Sequence, residues 1–94
     1  ETSLALGLKL VEEGAISLEM LICKMSKNPS AIFGLSRDIA VNETANLTII
    51  DPDLEWTFDK NKSVSLSHNT PFHGHTWKGR AVRTIVAGET VWAL

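Results

Sequence analysis

His73 and His75 stand two residues apart in the segment Asn69-Thr70-Pro71-Phe72-His73-Gly74-His75-Thr76-Trp77-Lys78-Gly79. On an extended strand, residues i and i+2 share a face, so both imidazoles could turn toward one Zn²⁺ or similar ion. A working site needs at least a third ligand. Neither of the remaining soft donors supplies it: His68 precedes a turn, and Cys23 lies upstream on an expected helix. The residues favour an adventitious or structural pair, able to pick up nickel or zinc during purification, over a native metal site.

Other chemistry-bearing residues are weaker. Cys23 reads as a buried structural thiol rather than a nucleophile. Glu12 and Glu13 are adjacent, and neighbours on a helix do not face each other, so they mark a solvated helix end. Trp56, Trp77 and Trp92 could form an aromatic binding surface, but each lies in or beside a strand, which favours packing in a core. Lys78, Arg80 and Arg83, with Lys60 and Lys62 nearby in sequence, read as a solvated basic strand face. No Gly-x-Ser-x-Gly elbow and no glycine-rich phosphate loop occurs. No catalytic, cofactor-binding or metal-ligating residue is assigned within the chain.

The elements that must position these residues change character along the sequence. Leu4, Leu8 and Val11 recur at helical spacing, Leu6 and Leu10 widen the apolar face, and Gly14 terminates it. Ser17 can cap a second helix carrying Leu18, Leu21, Ile22 and Met25. Asn28-Pro29 reads as the start of a third, short helix, which Gly34 ends. Leu47-Thr48-Ile49-Ile50 is a strand, ended by the turn Asp51-Pro52-Asp53. Trp56 and Phe58 alternate with Thr57 and Asp59, as in a half-buried strand. Residues 60–70 read as loop with a short strand near Val64–Leu66. Residues 80–86 alternate again, and Ala87-Gly88 turns them into a hairpin with residues 90–94. Helices followed by strands indicate an α+β arrangement.

With 94 residues the chain makes one domain at most, far short of the about 250 residues of a (β/α)8 barrel. A net charge of −2 gives no electrostatic reason for nucleic acid or an anionic membrane as partner. A hydrophobic fraction of 44% argues against disorder. No apolar run approaches the roughly 18 residues of a membrane span, and no signal-peptide pattern opens the chain. One cysteine excludes an intrachain disulfide and suits a reducing cytoplasm. Glu1 in place of Met suggests that a piece has been removed or that the chain begins in mid-gene.

Several blocks resemble the C-terminal part of the dihydroorotases, members of the amidohydrolase superfamily. Glu1-Thr2-Ser3-Leu4 resembles the end of a Gly-Leu-Glu-Thr block that opens the last barrel helix. Residues 28–35, Asn-Pro-Ser-Ala-Ile-Phe-Gly-Leu, resemble the helix that follows. Residues 45–51, Ala-Asn-Leu-Thr-Ile-Ile-Asp, resemble the strand that re-enters a small β-sandwich beside the barrel. Asn69-Thr70-Pro71-Phe72 with Gly74, then Gly79 and Thr84–Gly88, resemble the tail. Glu1-Thr2 and Asn69–Phe72 are the blocks narrow enough to favour dihydroorotase over allantoinase or dihydropyrimidinase. Asp38 and Asn42 replace two glycines usual in the family, and Asn46 replaces an Asp.

The resemblance implies a TIM-barrel amidohydrolase in which 1–35 closes the barrel and 36–94 belongs to the sandwich. It implies a zinc-dependent hydrolase interconverting N-carbamoyl-aspartate and dihydroorotate in pyrimidine biosynthesis, whose ligands and catalytic Asp precede Glu1. The chain would then be structural, inactive alone, and partnered by the remainder of its parent. Its strands at 47–50 and 80–86 would pair with strands of that remainder. Self-association through bare apolar faces and strand edges is expected. A non-catalytic scaffolding module and the tail of a sister cyclic amidase are the alternative readings.

Overall fold

A computed structural model describes residues 1–35 and 38–94. The first helix, α1, spans Ser3–Glu12. It ends as the glycine position requires. Gly14 takes φ 76°, and the last carbonyls are satisfied by Ala15 N–H to Leu10 O at 2.9 Å and Gly14 N–H to Val11 O at 3.0 Å. This crossed pair is the left-handed helix stop, and the same pair recurs at Gly34 with Leu35 donating to Ser30 O.

The second helical rod starts where Ser17 Oγ accepts from Met20 N–H at 3.1 Å. It comprises α2, Leu18–Ile22, a π-helical turn, Cys23–Lys27, and α3, Asn28–Ile32. The third helix does start at Asn28-Pro29 and stop at Gly34, but Asn28 does not cap it, because it continues the rod from α2. Asn28 is itself helical, with φ −67° and ψ −47°, and its N–H reaches back five residues to Cys23 O. Pro29 lacks an N–H, and its ring crowds the carbonyl four residues earlier. A wider π turn just before it accommodates both effects, so the proline marks a local defect within one rod.

Three antiparallel strands follow in the order β1-β2-β3: Leu47–Thr57, Thr76–Val86 and Glu89–Ala93. The expected stop at Asp51-Pro52-Asp53 is a bulge instead. Pairing runs from Leu47↔Ile85 to Asp51↔Arg80, shifts, and resumes at Glu55↔Lys78 through Thr57↔Thr76. Asp51 Oδ1 accepts from Asp53 N–H at 2.9 Å and Leu54 N–H at 3.2 Å, which satisfies the donors the ladder has dropped. Because β1 lies at the edge, Pro52 needs no ladder partner on its outer side.

No strand forms at Val64–Leu66. Those residues bend through solvent, with Val64 and Leu66 essentially fully exposed, and a 3₁₀ turn occupies Lys60–Lys62. The hairpin at Ala87-Gly88 does form. Both residues have positive φ, 51° and 83°, matching the tight turn that suits strand twist. β2 is the central strand: β1 pairs along Thr76–Ile85, and β3 pairs with Arg83–Val86 on the other side.

The core lies between α1 and the sheet. Ala5, Phe58 and Trp77 form its buried cluster, with Trp56 and Phe72 packed against it. Leu8 and Leu21 are also buried. Gly79 explains why α1 can lie so close to β2. A Cβ there would collide with Leu8 Cδ1 and lie 3.0 Å from Pro52 O, and its φ of 89° is one that L side chains rarely adopt. The molecule is α+β. Among the described residues, no helix is long and apolar enough to cross a membrane.

Candidate functional site

Residues 71–74 form a turn that joins the core to the start of β2. Two bonds fasten it to the chain just past β1: Gly74 N–H to Phe58 O at 2.8 Å, and Phe58 N–H to His75 O at 2.9 Å. Phe72 meets Trp77 edge-on at 5.6 Å, and His75 stacks on Trp77 at 5.7 Å with 19° between planes. His75 is thus held by aromatic contacts at the head of β2.

His73 has different neighbours. Its Nδ1 accepts from Lys60 N–H at 3.3 Å and lies 3.7 Å from Asp59 Oδ1. These two contacts use Nδ1 in opposite states, because accepting needs a lone pair and an ion pair with Asp59 needs a proton. Asp59 also accepts from Asn61 N–H at 3.0 Å, capping the 3₁₀ turn. That backbone bond holds its carboxyl below the usual carboxylate range, and the charge of His73 adds to the effect. The shared strand face that would aim both imidazoles at one ion is absent, since His73, Gly74 and His75 all precede β2 and Gly74 is left-handed.

Among the grooves that flank α1, two gather polar groups from the sheet. The first, about 340 Å³, is lined by Glu1, Leu4, Trp56, Val64, Arg80 and Trp92 among others. Arg80 lies over the Trp56 ring, 4.6 Å from its centroid, and Trp56 Nε1–H donates to Gly79 O at 3.0 Å. At the groove's rim the Glu1 carboxylate accepts from Ser63 Oγ–H at 2.7 Å and Val64 N–H at 2.9 Å. The Ser63 hydrogen bond is the main cause of a lowered Glu1 pKa. This serine–carboxylate pair is no nucleophile, because no imidazole lies between them and Ser63 Oγ itself accepts from Ser65 N–H.

The second groove, about 320 Å³, gathers Lys9, Glu12, Glu55, His75, Trp77 and Lys78. Trp77 is 8% exposed, and its Nε1–H has no partner among the described residues. Lys78 pairs with Asp53 at 3.3 Å on the surface, a contact of little energetic weight.

Comparison with known proteins decides the family. No family model matches the chain. It is 48% identical over 93 residues to a dihydroorotase of Geobacter sp. strain M21, a match covering 98% of this chain and 22% of that protein. A dihydroorotase of Geobacter metallireducens is 46% identical with the same coverage. That of Syntrophotalea carbinolica is 44% identical over 95 residues, covering 100% of this chain and 22% of the relative. The chain belongs to the dihydroorotase family. It spans about a fifth of the length of the curated relatives it matches.

Within this dihydroorotase segment the residues singled out by sequence separate. Trp77 is core, Trp56 is half-buried beneath Arg80, and Trp92 lies on β3 at the first groove. Cys23 is half-buried in the π turn. Glu12 lines the second groove, whereas Glu13 is the residue that closes α1. Lys78 and Arg80 take separate partners, Asp53 and the Trp56 ring. Zinc does not fit the donors present: among the described residues no three of His, Cys, Asp and Glu gather closely enough to hold a metal ion. Sequence reasoning missed the Glu1–Ser63 contact and the Arg80–Trp56 contact. The partners lie 62 and 24 positions apart, and no local pattern announces them.

Proposed function

We propose that this segment is the C-terminal structural part of a dihydroorotase interconverting N-carbamoyl-aspartate and dihydroorotate in pyrimidine biosynthesis. Identity of 44–48% over essentially the whole chain to curated dihydroorotases carries the reading. The agreement of Glu1-Thr2 and Asn69–Phe72 with the family's narrower blocks supports it. Residues 1–35 serve as the end of a TIM-type barrel, and 36–94 as strands of the adjoining small sandwich. Zinc, its ligands and the proton-handling Asp belong to the part of the parent outside these residues, in the cytoplasm.

The segment's own contribution is mechanical. Its sheet and α1 share one core, and Gly79 fixes how closely they approach. The experiment is to assay the full-length gene product for ring closure of N-carbamoyl-aspartate and to measure its metal. Turnover with bound zinc is the expected result, and a full-length product with neither supports a scaffolding role instead. Replacing both His73 and His75 with Ala should leave zinc per chain unchanged by atomic absorption. A loss of metal in that variant would move the site into this segment. The 94-residue chain alone should show no cyclase or amidase activity with added zinc. Activity that copurifies with it would overturn the structural role.

A further inference from the structure

The polar stretch between the 3₁₀ turn and β2 lacks regular structure, yet its two ends are fixed. At its far end Phe72 enters the aromatic cluster around Trp77. At its near end Ser63 Oγ and Val64 N–H both donate to the Glu1 carboxylate, and Ser65 N–H donates to Ser63 Oγ at 3.2 Å. Between these points Val64, Leu66 and Asn69 are exposed. Glu1 leads directly into α1, whose Ala5 belongs to the same core as Phe72.

We propose that Glu1 is a positioning residue: its carboxylate latches the 63–72 strap to the entrance of α1 and thereby forms the rim of the groove lined by Trp56, Arg80 and Trp92. Two hydrogen bonds to one ionised oxygen are stronger than their neutral counterparts, and here they close a loop of more than sixty residues. Near Ser63 the strap is otherwise tied by Ser63 N–H to Lys60 O at 3.3 Å, upstream of Val64, so the latch sets whether Val64 stays over the groove. Arg80 is the cation lining the same groove, and the groups that bear on the carboxylate are the hydroxyl and amides of the strap. These hydrogen bonds favour the ionised state. The inference stands on this geometry and does not depend on the reaction the parent performs.

The sign of its pH dependence follows. The Glu1 pKa lies below the ordinary carboxylate value, chiefly because of the Ser63 hydrogen bond. The latch is therefore complete above that value and is lost as pH falls through the lowered one. At neutral pH the carboxylate is ionised and able to accept both bonds.

Amide hydrogen exchange in the full chain, corrected for intrinsic rates, tests this. In Glu1→Ala the Val64 and Ser65 amides should exchange about tenfold faster, while those of Thr84 and Ile85 in the ladder keep their protection. Ser63→Ala removes a donor without touching α1 and should give the same local increase, which covers the case of a Glu1→Ala chain that does not fold. In the unaltered chain the protection at Val64 should fall on acidification through the carboxylate range, and in Glu1→Gln it should be flat. Unchanged exchange at Val64 in Ser63→Ala, or identical acid profiles for the parent and Glu1→Gln, would overturn the proposal.

Discussion

Gly79 and Gly7 make a matched pair of tests at the scale of single residues. Each sits where two elements touch, but what faces them differs. At Gly79 a new Cβ meets the Leu8 side chain and the Pro52 backbone, and the φ of 89° strains any L residue. At Gly7 it meets Leu21 Cδ1 at 2.6 Å, the far end of a side chain that can turn aside. Gly79→Ala should therefore destabilise by on the order of 3 kcal/mol, from backbone strain plus overpacking. Gly7→Ala should stay within about 1 kcal/mol of the original, because improved helix propensity offsets the displacement of Leu21. Denaturant midpoints of the two variants check this, and equal losses would show that the α1–β2 approach is softer than described.

Capping distinguishes the elements. Ser17 holds Met20 N–H through its side chain, whereas Thr2, at the corresponding position of α1, makes no side-chain cap bond and has φ −98° and ψ −8°. Ser17→Ala should cost about 1 kcal/mol, and Thr2→Ala a few tenths at most. A thermal melt that orders the two the other way would contradict the cap assignment. The same elements show what sequence can and cannot reveal. Gly14, Ser17, Gly34 and Ala87-Gly88 were legible because each job is local: a left-handed stop, a hydroxyl cap, a two-residue turn with positive φ. What surrounds Pro29 and Pro52 was not legible, for one reason. A missing N–H says that the regular ladder is interrupted, and whether the element resumes beyond depends on packing partners elsewhere. The rod resumes through a π turn, and β1 resumes after a bulge closed by Asp51. Val64–Leu66 has strand-like residues but no neighbouring strand to pair with. At the candidate site, His-x-His spacing was legible as a pair of imidazoles. The divergence of His73 and His75 was not, since it follows from where β2 begins.

On the scale of the molecule, the polar sheet edges and apolar surface exceed what the core covers. Phe33 is 76% exposed and Val41 is 90% exposed, and Val91 and Leu94 stand open on and beside β3. β3 pairs on one side alone and carries no proline or lysine, its one irregularity being a register shift at Val91, whereas β1 has the Pro52 interruption. An unguarded edge of this kind recruits other strands. The separate chain should form oligomers whose fraction rises with concentration in light scattering. Val91→Lys should reduce that fraction several-fold, and a monomer at all concentrations would refute the idea. The stacking of His75 on Trp77 carries a consequence of an optical kind. The chain has three tryptophans and no tyrosine, so ultraviolet emission comes from indoles alone. One of them is buried, with an imidazole lying flat against its ring at the hinge of the Pro71–Gly74 turn. A ring stacked on an indole alters its emission, so the light from Trp77 is a built-in gauge of whether that turn is seated, readable in a cuvette without any label.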